Sequence, residues 1–133
     1  MANPPLISVV DDDNSVRESL QSLMRSVGFA VKVFASAEEF LNCDHLRDTD
    51  CLILDVRMPG MSGIELQRHL VANHHEIPII FITAHASEEE VRSLAFRSGA
   101  VDYLAKPLSE EALLSAVQSA LNGGRGNRQP KLE

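Results

Sequence analysis

Three things are scarce in this chain, and each scarcity closes off a class of function. Basic residues never cluster: twelve Lys and Arg stand against nineteen Asp and Glu, for a formal net charge of -7. Gripping nucleic-acid phosphates needs grouped cations, so no direct binding of nucleic acid is expected. Metal cations, small basic partners or a protein surface suit an acidic chain better. Cysteines are limited to Cys43 and Cys51, with no CxxC spacing. Two such residues make neither a disulfide framework nor a zinc site, and reduced thiols in a cytoplasmic protein are expected. Long apolar runs are missing too. None approaches the ~20 residues of a membrane span, and Met1-Ala2-Asn3-Pro4-Pro5 lacks the positive and apolar regions of a signal peptide. No membrane association is expected.

What is present is ample for one core. Of 133 residues 44% are hydrophobic, enough for a single globular domain and no second one. Apolar runs alternate with helical patterns five times. Leu6–Val10, Val31–Phe34, Cys51–Leu54, Pro78–Ile82 and Val101–Leu104 read as strands. Helical faces follow them: Val16, Leu20, Leu23, Met24 and Val27; Phe40 and Leu41; Ile64, Leu66, Leu70 and Val71; Val91, Leu94 and Ala95; and Leu113, Leu114, Val117, Ala120 and Leu121. Ser15-x-x-Glu18, Ser36-x-x-Glu39, Ser62-x-x-Glu65 and Ser87-x-x-Glu90 match the capping box. Gly28, Gly99 and Gly123 stand where left-handed helix stops belong. Strand–helix alternation predicts an α/β fold with a parallel sheet and helices on both faces. Residues 122–133 read as a linker-like tail after a domain spanning 1–121.

Ligands of such folds sit beyond the carboxyl ends of the strands, and chemistry-bearing residues gather there. The first strand ends in Asp11-Asp12-Asp13, the third in Asp55, the fourth in Thr83 and the fifth in Lys106-Pro107. Asp13 or Asn14 can be a helix cap. Asp11, Asp12 and Asp55 need another reason, because grouped carboxylates repel one another unless a cation neutralises them. Oxygen ligands with room for water favour Mg²⁺. Carboxylates, a cation, the Lys106 ammonium and the Thr83 hydroxyl around one spot describe a receptor for a phosphoryl group. His74-His75 would not share a helix face, and with His45 and His69 they read as solvated. Glu88-Glu89-Glu90 reads as a helix start.

Val9-Val10-Asp11-Asp12-Asp13, Leu52 to Gly63, Ile82-Thr83-Ala84 and Tyr103-Leu104-Ala105-Lys106-Pro107 together resemble the receiver domains of two-component response regulators. Phe29-Ala30-Val31, Ala35 to Leu41 and Arg57-Met58-Pro59 most resemble the FixJ-like branch. The resemblance runs from about Leu6 to Leu121. It implies a (βα)5 flavodoxin- or CheY-like doubly wound sheet of five parallel strands, order 2-1-3-4-5. It further implies Asp55 as phosphoacceptor for a sensor histidine kinase, and Mg²⁺ held by Asp11, Asp12, Asp55 and the backbone carbonyl of Arg57. Lys106 would contact the phosphoryl oxygens, and Thr83 and Tyr103 would switch after transfer; the role of His85 is left open. The switching surface would lie on the fourth helix, fifth strand and last helix, including Val91, Arg92 and Leu94. Partners implied are the kinase, a second receiver and an output domain outside this chain, of helix-turn-helix DNA-binding type.

Rival readings are weaker on the residues. Phosphatases of the haloacid dehalogenase type use similar parts but place a general acid two residues after the nucleophile, where this chain has Arg57. An FMN-binding flavodoxin needs a Ser/Thr/Gly-rich phosphate loop after the first strand, and Asp11-Asp12-Asp13 would repel its phosphate. A module that kept only the fold would have no use for buried Asp12, Asp55, Thr83 and Lys106. A signalling domain, and not a turnover enzyme, is therefore expected.

Overall fold

The computed structural model describes residues 4–44, 46–84, 89, 93 and 100–123. Its elements are β1 (Leu6–Val10), α1 (Asn14–Ser26), β2 (Ala30–Phe34), α2 (Ala37–Leu41), a 3-10 turn (Leu46–Asp48), β3 (Cys51–Asp55), α3 (Gly63–Ala72), β4 (Ile79–Thr83), β5 (Asp102–Ala105) and a C-terminal helix (Glu110–Gly123). All strand pairs are parallel and the order is β2-β1-β3-β4-β5. The expected α/β sheet is what forms. The expected helix on Val91, Leu94 and Ala95, with Arg92, His85, Gly99 and the Ser87-x-x-Glu90 box, lies outside the described residues, as do His45 and the tail from 124 onward.

Successive strand residues point to opposite faces of a sheet, and here both faces are apolar. On one, Ile7, Val9, Ile53, Ile80 and Ile82 meet Leu20 and Met24 of α1 and Leu113, Ala116, Val117 and Ala120 of the C-terminal helix. On the other, Val10, Leu52, Leu54, Ile79 and Phe81 meet Phe40 of α2 and Leu66 and Leu70 of α3. Central strands β3 and β4 are buried along their whole length, while edge strand β5 is only half-buried. Continuous apolar runs, not alternation, mark strands covered twice. Phe34 and Phe40 lock β2 to α2 edge-to-face, with ring centroids 5.3 Å apart. Ser8 intrudes on the second face and is satisfied by the Thr49 hydroxyl at 2.7 Å.

Four local expectations need correction. The Ser15 box does not form, and the Asp13 cap, also expected, does: Asp13 accepts from the Ser15 and Val16 amides, and Glu18 takes Asn14 instead. A carboxylate two residues earlier reaches the orphan amides first. Ser36 accepts from the Glu39 amide, but Glu39 returns its bond to Ala35, so that box is displaced by one residue. Only Ser62 and Glu65 close a full reciprocal box among the described residues. Val27 and Val71 are exposed, at 45% and 63%: Val71 lies about 100° round its helix from the buried Leu70, and Val27, although in phase with Leu20, falls just past the last turn of α1 as its C-cap. Gly123 ends the C-terminal helix without positive φ, whereas Gly28 takes φ +96 as expected. Several strands also start or end one residue from their apolar runs, since Asp55 and Thr83 pair with Ile82 and Ala105 inside the ladders.

Helix α3 stops on His74, whose φ of 64 is the one positive value on a non-glycine among the described residues. The His75 amide then donates back to the Leu70 carbonyl at 2.8 Å. A side chain in this left-handed position is strained by about 1 kcal/mol, a strain glycine escapes. His74→Gly should therefore raise unfolding free energy in urea by about 0.5 kcal/mol, net of the entropy glycine gains when unfolded.

Candidate functional site

Because β1 lies between β2 and β3, the chain reverses its direction of travel across the sheet at the β1/β3 pair. The helices after these two strands depart to opposite faces, and a crevice opens at the strands' carboxyl ends. Val10 pairs with Leu54, so Asp11 and Asp55 follow as neighbours. Asp11 is wholly buried and Asp55 is 5% exposed; Asp12 faces solvent. Carboxylate oxygens of all three lie within 4.8 Å of one another.

Lys106 enters from the far side. Its amide donates to the Thr83 carbonyl at 2.8 Å, extending the β4–β5 ladder by one rung. That rung aims its ammonium inward, 2.9 Å from Asp11 Oδ2 and 3.6 Å from Asp55 Oδ2. Asp11 Oδ1 accepts from the Asp13 amide at 2.9 Å, and Arg17 steadies the same strand end by donating to the Asp11 carbonyl at 2.8 Å. Asp55 is less well supplied: its Oδ1 takes one long bond, 3.4 Å, from the Arg57 amide. Asp12, Asp13, Asp55, Arg57, Ala84 and Lys106 line a cleft of about 360 Å³ over it.

Electrostatics follow the geometry. Burial, then repulsion by Asp11, pushes the Asp55 carboxyl up from 3.8 to about 7, against the opposing pull of Lys106 and the Arg57 amide. Burial alone would lower the Lys106 pKa, but its hydrogen bond to Asp11 and the charge of Asp55 carry it above the ordinary 10.5. One ammonium thus serves more negative charge than it can cancel. Cys51 is held as a neutral thiol, pushed up to about 12 by burial and by Asp50; neither cysteine is in a disulfide.

Of the residues singled out in the sequence, Asp11, Asp12, Asp55, Arg57 and Lys106 converge. Thr83, buried at 4%, stands beside them by its backbone link to Lys106. Tyr103 does not line the cleft; half-buried on β5, it pairs with Phe81 and packs against the α2–α3 side of the core. Three contributors escaped sequence reasoning. Arg17 and Glu38 act over loops, where spacing gives no sign. Gly63 does leave a trace, a glycine in the first turn of a helix: its Cβ would overlap the Asp55 carbonyl oxygen, and its amide bonds Val56 at 2.9 Å.

Comparison with known proteins identifies the family of the chain. Residues 7–118 match the model of the response regulator receiver domain. This chain belongs to that family. The response regulator protein TmoT of Ectopseudomonas mendocina is 49% identical over 116 residues, 87% of this chain and 52% of TmoT. Nodulation protein W of Bradyrhizobium diazoefficiens is 44% identical over 93% of this chain and 54% of its own length. The transcriptional regulatory protein FixJ of Azorhizobium caulinodans is 39% identical over 127 residues. The receiver spans about half the length of the curated relatives it matches. Among solved structures, response regulator StyR superposes with a TM-score of 0.84 at 47% identity, over 97% of this chain and 65% of that one. FixJ-N gives 0.79 at 36%, over 91% and 96%. Among the described residues no helix is long and apolar enough to cross a membrane.

An Asp55 pKa raised from 3.8 to about 7 has a definite sign in stability. Between those values the metal-free folded state binds the extra proton, so stability is lost as pH rises and the loss is complete above about 7. Asp55→Asn removes the penalty. In buffer containing a magnesium chelator, the variant should exceed wild type by about 2–4 kcal/mol at pH 8 in urea melts, and by much less at pH 4.

Proposed function

We propose that this receiver takes a phosphoryl group on Asp55 from a phosphohistidine of a sensor histidine kinase. Asp55 attacks in line; the phosphorus–nitrogen bond breaks, a phosphorus–oxygen bond to Asp55 Oδ forms, and the imidazole leaves. Lys106 neutralises the incoming oxygens, and its 2.9 and 3.6 Å contacts to Asp11 and Asp55 are the observation that carries this reading. A phosphoryl group seated in the cleft would lie against an ammonium already aimed there.

The donor set fits Mg²⁺. Three carboxylates offer oxygen atoms within 4.8 Å of one another, a hard all-oxygen set beside a cleft with room for water, and the raised Asp55 marks uncompensated negative charge. Asp11, Asp12, Asp55 and the Arg57 carbonyl would hold the ion, which when bound would offset the charge shared by these groups and the phosphoryl oxygens. The same residues would later admit a water molecule for self-catalysed loss of the phosphate, so the domain signals and does not turn over a separate substrate.

The aspartyl phosphate brings roughly two negative charges into this crevice. Thr83 and Lys106 share one rung at the β4–β5 edge, and Tyr103 lies on the same edge strand, so a shift in the first two would reach the third. Output then passes through this edge and the last helix to a second receiver or to an output domain beyond the tail at 122–133. Relatives named as transcriptional regulatory proteins, of which the matched segment makes up 52% and 59%, support a cytoplasmic DNA-binding output domain. Incubation with acetyl phosphate and Mg²⁺ should add the mass of one phosphoryl group to wild type and none to Asp55→Asn, read by intact-protein mass spectrometry. Equal addition to both would remove Asp55 from this role.

A further inference from the structure

Between Asp55 and the start of α3 the chain runs through Val56-Arg57-Met58-Pro59-Gly60-Met61-Ser62, and this loop carries Arg57 over the carboxylates. Its two ends are tied locally: Arg57 to Asp55 Oδ1 at 3.4 Å, and Gly63 to Val56 at 2.9 Å. Its crest is tied from elsewhere. Glu38, in the single turn of α2, accepts the Met61 amide on Oε2 at 3.1 Å, across 23 residues of sequence. The same oxygen lies over Gly60, where a Cβ would come within 3.0 Å of it. Gly60 has φ +76, so the loop turns left-handed directly beneath the carboxylate. Neighbouring Glu39 is spent on capping α2 through Ala35, whereas Glu38 makes no use of its own helix in this contact.

We propose that Glu38 is a positioning residue, a latch from α2 that holds the crest of the Asp55–α3 loop and thereby tightens the hold of the carboxylate site on Mg²⁺. The inference rests on the reading of that site given above. A loop free at its crest would place the Arg57 carbonyl less firmly, and the loss would fall on the ion's affinity. Groups that orient a metal ligand from behind commonly govern affinity in this way. What the latch needs is an acceptor oxygen, not a charge. Glutamine keeps that oxygen while losing the charge that favours a helix start, so it separates the two roles.

The test compares wild type, Glu38→Gln and Glu38→Ala by calorimetric Mg²⁺ titration and by hydrogen exchange at the Met61 amide. Glu38→Ala should bind Mg²⁺ about threefold to tenfold more weakly and exchange Met61 about tenfold faster, while Glu38→Gln stays within about twofold of wild type in both. Wild-type affinity in Glu38→Ala would overturn the latch, as would a Glu38→Gln as impaired as Glu38→Ala. A Met61 amide that exchanges in wild type as fast as an unbonded one would do the same. If wild type itself shows no Mg²⁺ binding, the site reading falls together with the latch; if wild type binds and Glu38→Ala binds equally well, the latch alone falls.

Discussion

Everything at the crevice depends on one ion pair that is not balanced. Lys106 is called upon by Asp11 at 2.9 Å and Asp55 at 3.6 Å, while Asp12 stands close enough to add a third carboxylate. Asp11, fully buried, has the closer claim on the ammonium and a firm amide bond besides. Asp55 is left with the longer contact and one weak amide, too little to offset burial and the repulsion of Asp11, which push its carboxyl up to about 7. Breaking a buried pair by removing one partner leaves a charge that costs several kcal/mol. The fold therefore keeps all the partners and leaves negative charge in excess, a state that a divalent cation would relieve.

The sheet exists in the form that makes this possible. Parallel order places the ends of β1 and β3 side by side, and the rung from Lys106 to Thr83 fixes the lysine without relying on its flexible stem. Apolar packing on both faces holds these strand ends rigid, so the separation of Asp11, Asp55 and Lys106 is set by the core and not by loops. Residues in the first turns of the helices supply the finer adjustments: Arg17 on the Asp11 carbonyl, Gly63 against the Asp55 carbonyl, and Glu38 on Met61.

Much of this could be read from the sequence because it rests on short-range pattern. Runs such as Cys51–Asp55 and Ile79–Thr83 are apolar throughout, which reports burial on two faces, and residues that end such runs must share one sheet edge. Asp55 and Lys106 were legible for that reason. Legibility failed where geometry competes locally or acts at a distance. For α1 the sequence offers both an Asp13 cap and a Ser15 box, and only the geometry decides for Asp13. The exposure of Val71 turns on about 100° of helix phase and that of Val27 on α1 ending one residue before it, distinctions too fine for a list of apolar positions. Glu38 follows β2 and Met61 follows β3, and the two meet only after both strands have paired with β1, so no spacing rule could have found the contact. The sequence also could not say that Tyr103 would turn to the core beside Phe81 and away from the cleft.

The most direct measurement is the ¹³C resonance of the Asp55 carboxyl followed through a pH titration, with assignment by comparison with Asp55→Asn. Without divalent cations it should titrate near 7, well above an ordinary carboxylate. Saturating Mg²⁺ should abolish that titration above pH 5, because the bound ion would hold the carboxylate ionised. A resonance that titrates near 4 in both conditions would contradict the account, since Asp55 would then be an ordinary carboxylate with nothing to relieve.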